Sequence, residues 1–125
     1  DFAYMGTRFI SSKESLAKPE YKAMLVDSVA KDIINTAAFT GIPNNMLRQS
    51  IEKAGFDPDN IPSSAKSKLN FDDPHSGAKA WRDIWSAGHG VGEVKEILSV
   101  KEIVASLTTQ YQETLQKPII TRRFI

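Results

Sequence analysis

An α/β architecture is what this sequence predicts, and three observations carry it. Two apolar runs, Phe2 to Ile10 and Asp32 to Phe39, have the continuous character of extended segments rather than a helical period. Four other stretches repeat their apolar residues every three or four positions, as an amphipathic helix does. The boundaries between them carry capping patterns, prolines and glycines.

In chain order, Phe2-Ala3-Tyr4-Met5 is broken by Gly6 and followed by Thr7-Arg8-Phe9-Ile10, which fits a strand buried on both faces of a parallel sheet. Ser11 with Glu14 three positions on is a capping-box pattern. Pro19 suits the first turn of a helix over roughly 19 to 29, with Tyr21, Met24, Leu25 and Val29 on one stripe. Asp32 to Phe39 is a second strand or extended segment, closed by Thr40-Gly41-Ile42-Pro43. Asn44 or Asn45 then caps a helix whose Leu47, Ile51 and Ala54 share a face. Gly55 follows it and Pro58 stops it. Residues 56 to 76 hold three of the six prolines among Ser, Asp, Asn and Lys, a long surface excursion. Ala78, Trp81, Ile84 and Trp85 return to helical spacing, which must end at Gly88-His89-Gly90-Val91-Gly92. Ser99 and Glu102 form a second capping box, opening a helix with the stripe Ile103, Val104, Leu107, Tyr111 and Leu115, ended by Pro118. One unit thus covers 1–116, with a tail at 117–125.

Composition narrows the function classes. At 125 residues the chain is one domain or part of one, and 41% hydrophobic with 25% charged residues is a globular balance. Sixteen basic against 15 acidic residues give a net charge of +1, so electrostatics offers no reason to expect nucleic acid or an anionic membrane. No apolar run approaches a membrane span, and the start lacks a basic, apolar leader; a cytoplasmic location is expected. The absence of cysteine excludes disulfides, thiolate metal sites and a Cys nucleophile. Because the sequence has no initiator Met and opens directly into an apolar run, it is expected to be a segment of something longer.

Three places could carry chemistry. Tyr4-Met5-Gly6-Thr7 puts a glycine where an apolar run ends, so a phosphate could approach the backbone there; a plain strand-to-loop glycine is the alternative. Trp85-Ser86-Ala87-Gly88-His89-Gly90-Val91-Gly92 matches neither the dinucleotide fingerprint, since Glu93 stands where glycine is needed, nor a P-loop. Its glycines would let the backbone pass a planar ligand and His89 donate a proton, or they are a helix C-cap with an exposed histidine. Asp57, Asp59, Asp72, Asp73 and His75 match no calcium loop and are read as solvated turn chemistry. Met24, Met46, Trp81 and Trp85 are most simply core.

Five stretches occur together in order: DFAYMGTRFI at 1–10, EYKAMLVDS at 20–28, DIINTAAFTGIP at 32–43, AGFDPDNIP at 54–62 and AWRDIWSAGHGVG at 80–92. Together they resemble the C-terminal portion of the nitronate monooxygenase family, formerly 2-nitropropane dioxygenases, over residues 1 to about 111; Lys117 to Ile125 match nothing. The resemblance implies the C-terminal part of an FMN-binding TIM (β/α)8 barrel with extra helices, in an enzyme that oxidises alkyl nitronates with O₂ to a carbonyl compound and nitrite. It implies FMN as cofactor, its phosphate on Tyr4-Met5-Gly6-Thr7, and the segment Ser86 to Gly90, including Gly88 and His89, beside the flavin. Family members commonly carry Gln where this chain has His89, which leaves that position's role open. Phe39 and Trp85 are candidates for substrate contacts.

A TIM barrel takes about 250 residues, and this chain is half that. The family's catalytic histidine has no counterpart here, since His75 lies in the polar excursion and His89 in the glycine loop. The resemblance therefore implies no catalytic residue in this chain, and as partners the substrate, O₂ and an N-terminal part of the barrel. Two alternatives remain: an enoyl-thioester reductase of the related FMN barrel, and a non-catalytic piece that cannot bind flavin alone and pairs through exposed edges and apolar surface.

Overall fold

The hairpin of β1 (Ile33–Thr36) and β2 (Asn44–Leu47) organises the described residues, and the chain wraps both of its faces. The structure, a computed structural model, describes residues 3–62 and 80–117. Ile33 stands opposite Leu47 and Ile34 opposite Met46. Neighbouring residues of a strand point to opposite faces, so each pair serves a different core. Ile34 and Met46 pack with Phe39, Ile51 and Ile84, and with the partly buried Phe56 and Ile61. Ile33 and Leu47 pack with Leu25, Trp85, Ala87, Val91 and Val94. A strand buried on both sides needs an unbroken apolar run, which explains Ile33-Ile34 and Met46-Leu47 standing side by side.

Helices flank this centre: α1 (Thr7–Ile10), α2 (Pro19–Asp27), α3 (Arg48–Lys53), α4 (Ala80–Asp83) and α5 (Val100–Gln116), with 3-10 turns at Ala30–Asp32 and His89–Glu93. Pro19 occupies the first turn of α2, where its missing N–H costs nothing. Gly55 follows α3 at φ +85°, a left-handed conformation that a side chain would strain. At α5 the capping box forms: Ser99 Oγ accepts the Glu102 N–H at 3.2 Å, and the Glu102 carboxylate accepts the Ser99 N–H at 2.7 Å. The Ser99 hydroxyl also donates to that carboxylate at 2.7 Å, and this bond first, then the Ser99 N–H and Lys13, lower the Glu102 carboxyl to about 2. Among the described residues no helix is long and apolar enough to cross a membrane.

Several expectations are corrected. No strand covers the described part of Phe2 to Ile10: Ala3 to Met5 has no ladder partner, and Thr7–Ile10 winds into α1, the Gly6 carbonyl accepting the N–H groups of Phe9 and Ile10. A parallel strand requires a neighbour, whereas these bonds close locally. The sheet among the described residues is antiparallel rather than parallel. Asn44 and Asn45 cap no helix. They lie in β2, where Asn45 Oδ1 accepts from Asn35 Nδ2 at 2.9 Å across the strands, and α3 begins after Leu47. Ser11 and Glu14 form no capping box. Ser11 Oγ donates to the Arg8 carbonyl, and the Glu14 carboxylate accepts the N–H of Val100 at 3.0 and 2.9 Å, capping α5 from far along the chain. The stripe of α5 is covered only at its start: Ile103 is buried and Leu107 half-buried, while Val104, Tyr111 and Leu115 are exposed. Most of residues 56 to 76, the start of the helix expected from Ala78, the Trp81 side chain, and the tail from Pro118 lie outside the described residues.

Candidate functional site

The hairpin positions the late glycine segment. The Leu47 N–H donates to the Trp85 carbonyl at 2.8 Å, and the Ala87 N–H to the Asn45 carbonyl at 3.3 Å, so residues 85–87 lie along the free edge of β2. Ser50, fully buried on α3, locks this edge: its Oγ accepts the Trp85 N–H at 2.9 Å and donates to the Leu47 carbonyl at 2.8 Å. Tyr21 stacks on Trp85 with ring centroids 4.9 Å apart and donates its hydroxyl to the Ser86 carbonyl. Burial pushes the Tyr21 phenol above its ordinary value, which keeps it a donor.

Held this way, the glycine segment reaches α1. Thr7 Oγ1 accepts the N–H of Gly88 at 2.8 Å, across 81 positions of sequence. The two segments singled out in the sequence thereby meet around one cavity of about 370 Å³, lined by Tyr4, Met5, Gly6, Thr7, Arg8, Gly88 and Gly90. A second cavity of about 240 Å³ shares Met5, Arg8 and Gly90 with it and extends to Glu93, Ile103, Ser106, Leu107 and Gln110.

The donor set suits a phosphate such as that of FMN. The N–H groups of Gly6 and Thr7 meet no acceptor among the described residues, Thr7 being first in its helix. Thr7 Oγ1 accepts from Gly88 and still carries a hydrogen to donate. No carboxylate lines this cavity among the described residues, and a Cβ at Gly6 or Gly90 would meet nothing within 4 Å. The glycines leave the backbone open rather than satisfy a strained turn.

The remaining candidates lie elsewhere. Ser86 and His89 do not line either cavity; Ser86 pairs along β2, and His89 is exposed at the start of its 3-10 turn. Phe39 is fully buried, edge-on to Phe56 at 5.2 Å, and lines neither of these cavities. Trp85 lines a separate cavity of about 230 Å³, its ring under the ammonium groups of Lys18 and Lys53. Asp57 accepts the Asp59 N–H, a turn contact as expected, and Asp59 is held below the usual carboxylate range by its hydrogen bonds to Arg48. Asp72, Asp73 and His75 lie outside the described residues, among which no cluster of His, Cys, Asp and Glu could hold a metal. Sequence reasoning missed Arg8, which lines both cavities; its place directly after Gly6-Thr7 was the signal.

Comparisons with known proteins bear on this geometry. Two solved structures of FabK from Thermotoga maritima are similar. One is 29% identical with a TM-score of 0.60, over 90% of this chain and 37% of that one; a point mutant is 26% identical with a TM-score of 0.57, over 90% and 34%. The chain therefore spans about a third of the length of those structures. No curated protein matches it. The family model described as nitronate monooxygenase matches residues 2–110, a span that contains both halves of the Gly6 and Gly88 cavity. The chain thus belongs to the nitronate monooxygenase family, a family of flavin oxidoreductases.

Proposed function

We propose that this chain supplies the phosphate-binding wall of an FMN-dependent oxidoreductase that oxidises alkyl nitronates with O₂ to a carbonyl compound and nitrite. The observation that carries the reading is the Thr7 to Gly88 hydrogen bond at 2.8 Å, which closes two distant segments around one open, glycine-lined cavity. The N–H groups of Gly6 and Thr7 and the Thr7 hydroxyl would bind phosphate oxygens, since unpaired backbone donors beside a hydroxyl suit an anion. Gly90 would let the ligand approach the backbone. When bound, FMN supplies the electron transfer between nitronate and O₂. In this proposal the barrel completing the flavin site, and the base that takes a proton from a nitroalkane, belong to protein outside this chain.

Gly6→Val in the full-length protein should abolish FMN retention, because a branched side chain would stand in the cavity. Unchanged flavin content in the purified variant would sink the assignment. The FabK structures favour a second reading, enoyl-thioester reduction. Anaerobic mixing separates the two: bleaching of the flavin by a nitronate supports the first, and bleaching by NAD(P)H alone supports the second.

A further inference from the structure

Three arginines fall among the described residues, and their guanidinium groups end differently. Arg48 forks onto Asp59 at 2.9 and 2.8 Å, and Arg82 onto its neighbour Asp83 at 2.9 to 3.1 Å. Arg8 has no carboxylate within ion-pair distance among the described residues; the one hydrogen bond its guanidinium makes there runs from Nη1 to the Glu96 carbonyl at 3.1 Å. A carbonyl holds a guanidinium in place without neutralising it, whereas a carboxylate does both. Arg8 is half-buried and brings the one cationic side chain to the first cavity's described lining. Glu93 lines only the second cavity and makes no ion pair with it.

We propose that Arg8 is an anion-binding residue of this cavity, fixed by the Glu96 carbonyl so that its remaining donors take a phosphate monoester in a bidentate contact. The inference rests on the reading that the cavity receives the flavin phosphate, and it adds the charge that backbone N–H groups lack. It also assigns a task to the stretch before α5: Glu96 sets the guanidinium, while Lys13, whose N–H donates to the Leu98 carbonyl at 2.8 Å, fastens that stretch to the chain after α1.

The test is titration of the flavin-stripped full-length protein with FMN and with riboflavin, which lacks the phosphate. Arg8→Gln should lower the preference for FMN over riboflavin by about tenfold or more, a charge-assisted bidentate contact being worth at least that factor, and move riboflavin affinity by less than about twofold. Arg8→Lys, which keeps charge and loses the fork, should lower the preference severalfold. If Arg8→Gln does not fold, Arg8→Lys decides, and an unchanged preference there overturns the bidentate contact. An Arg8→Gln protein of reduced thermal stability but wild-type preference would make Arg8 only a tie to Glu96 and overturn the inference alone. A wild-type protein that binds riboflavin as tightly as FMN would overturn the underlying phosphate reading as well.

Discussion

The hairpin with residues 85–87, and the stretch from Ala3 to Ile10 with α5, dispose of their groups in opposite ways. In the first region apolar side chains on both faces of the strands join a core and the edge of β2 is paired, with Ser50 satisfying backbone at Leu47 and Trp85. In the second, Tyr4 is fully exposed, the N–H groups of Gly6 and Thr7 find no acceptor among the described residues, and Val104, Tyr111 and Leu115 stand in solvent. The first region is complete as a core. The second is complete only where it touches the first, through Thr7 and Gly88, and at the start of α5, through Ile103 and the Glu14 cap. Open donors and open cavities thus lie on a wall backed by a packed core, an arrangement that suits a binding site.

The contrast can be broken by substitution. Leu47→Ala should be the most damaging change, costing about 2–5 kcal/mol of stability in urea or thermal unfolding, because Leu47 is fully buried where β2 meets Trp85. Leu115→Ala, on the exposed stretch of α5, should stay within about 0.5 kcal/mol. Equal effects would erase the distinction between the regions. Ser50→Ala should cost less, about 1–3 kcal/mol, by leaving the buried Trp85 N–H without its acceptor. It should also weaken flavin retention if the β2 edge positions Gly88, and a variant that unfolds sooner yet retains flavin fully would cut that link.

The smallest expected effect is on pH. Glu102 is held at about 2, below its ordinary 4.5, first by its hydrogen bonds to Ser99 and then by Lys13. A lowered carboxyl value means the cap's contribution is in place above about 4.5 and fades as pH falls toward 2. The Ser99 and Glu102 amide signals should shift as pH falls toward 2 while those of Leu47 and Trp85 stay still, in an NMR titration. A Glu102 that titrates near 4.5 would remove the capping box from the account.

What the sequence made legible follows the range of the interactions. Pro19, Gly55 and the Ser99 with Glu102 pair act within a turn or two, and each stands where its local chemistry indicates. The strand expected over Phe2 to Ile10 depends on a neighbour, and apolar character alone cannot supply one. Asn44 and Asn45 are strong cap residues by preference, yet a cross-strand bond to Asn35 took Asn45 into the sheet. Glu14 sits in a local capping pattern but serves Val100, a partnership that spacing cannot reveal. At the site, the resemblance pointed to Gly6, Thr7 and Gly88, which the fold brings together. It also named Ser86 and His89, which do not line the cavity, whereas Arg8, which lines both cavities, carries no local signal beyond following Gly6-Thr7.

The central claim is that Gly6, Thr7 and Gly88 wall a flavin-phosphate site. The most direct measurement is the visible absorption spectrum of the purified full-length protein and its Gly6→Val variant, before and after denaturation. A flavin band in the native protein, released on unfolding, and no band in a folded variant are the expected result. A band of equal strength in both would contradict it.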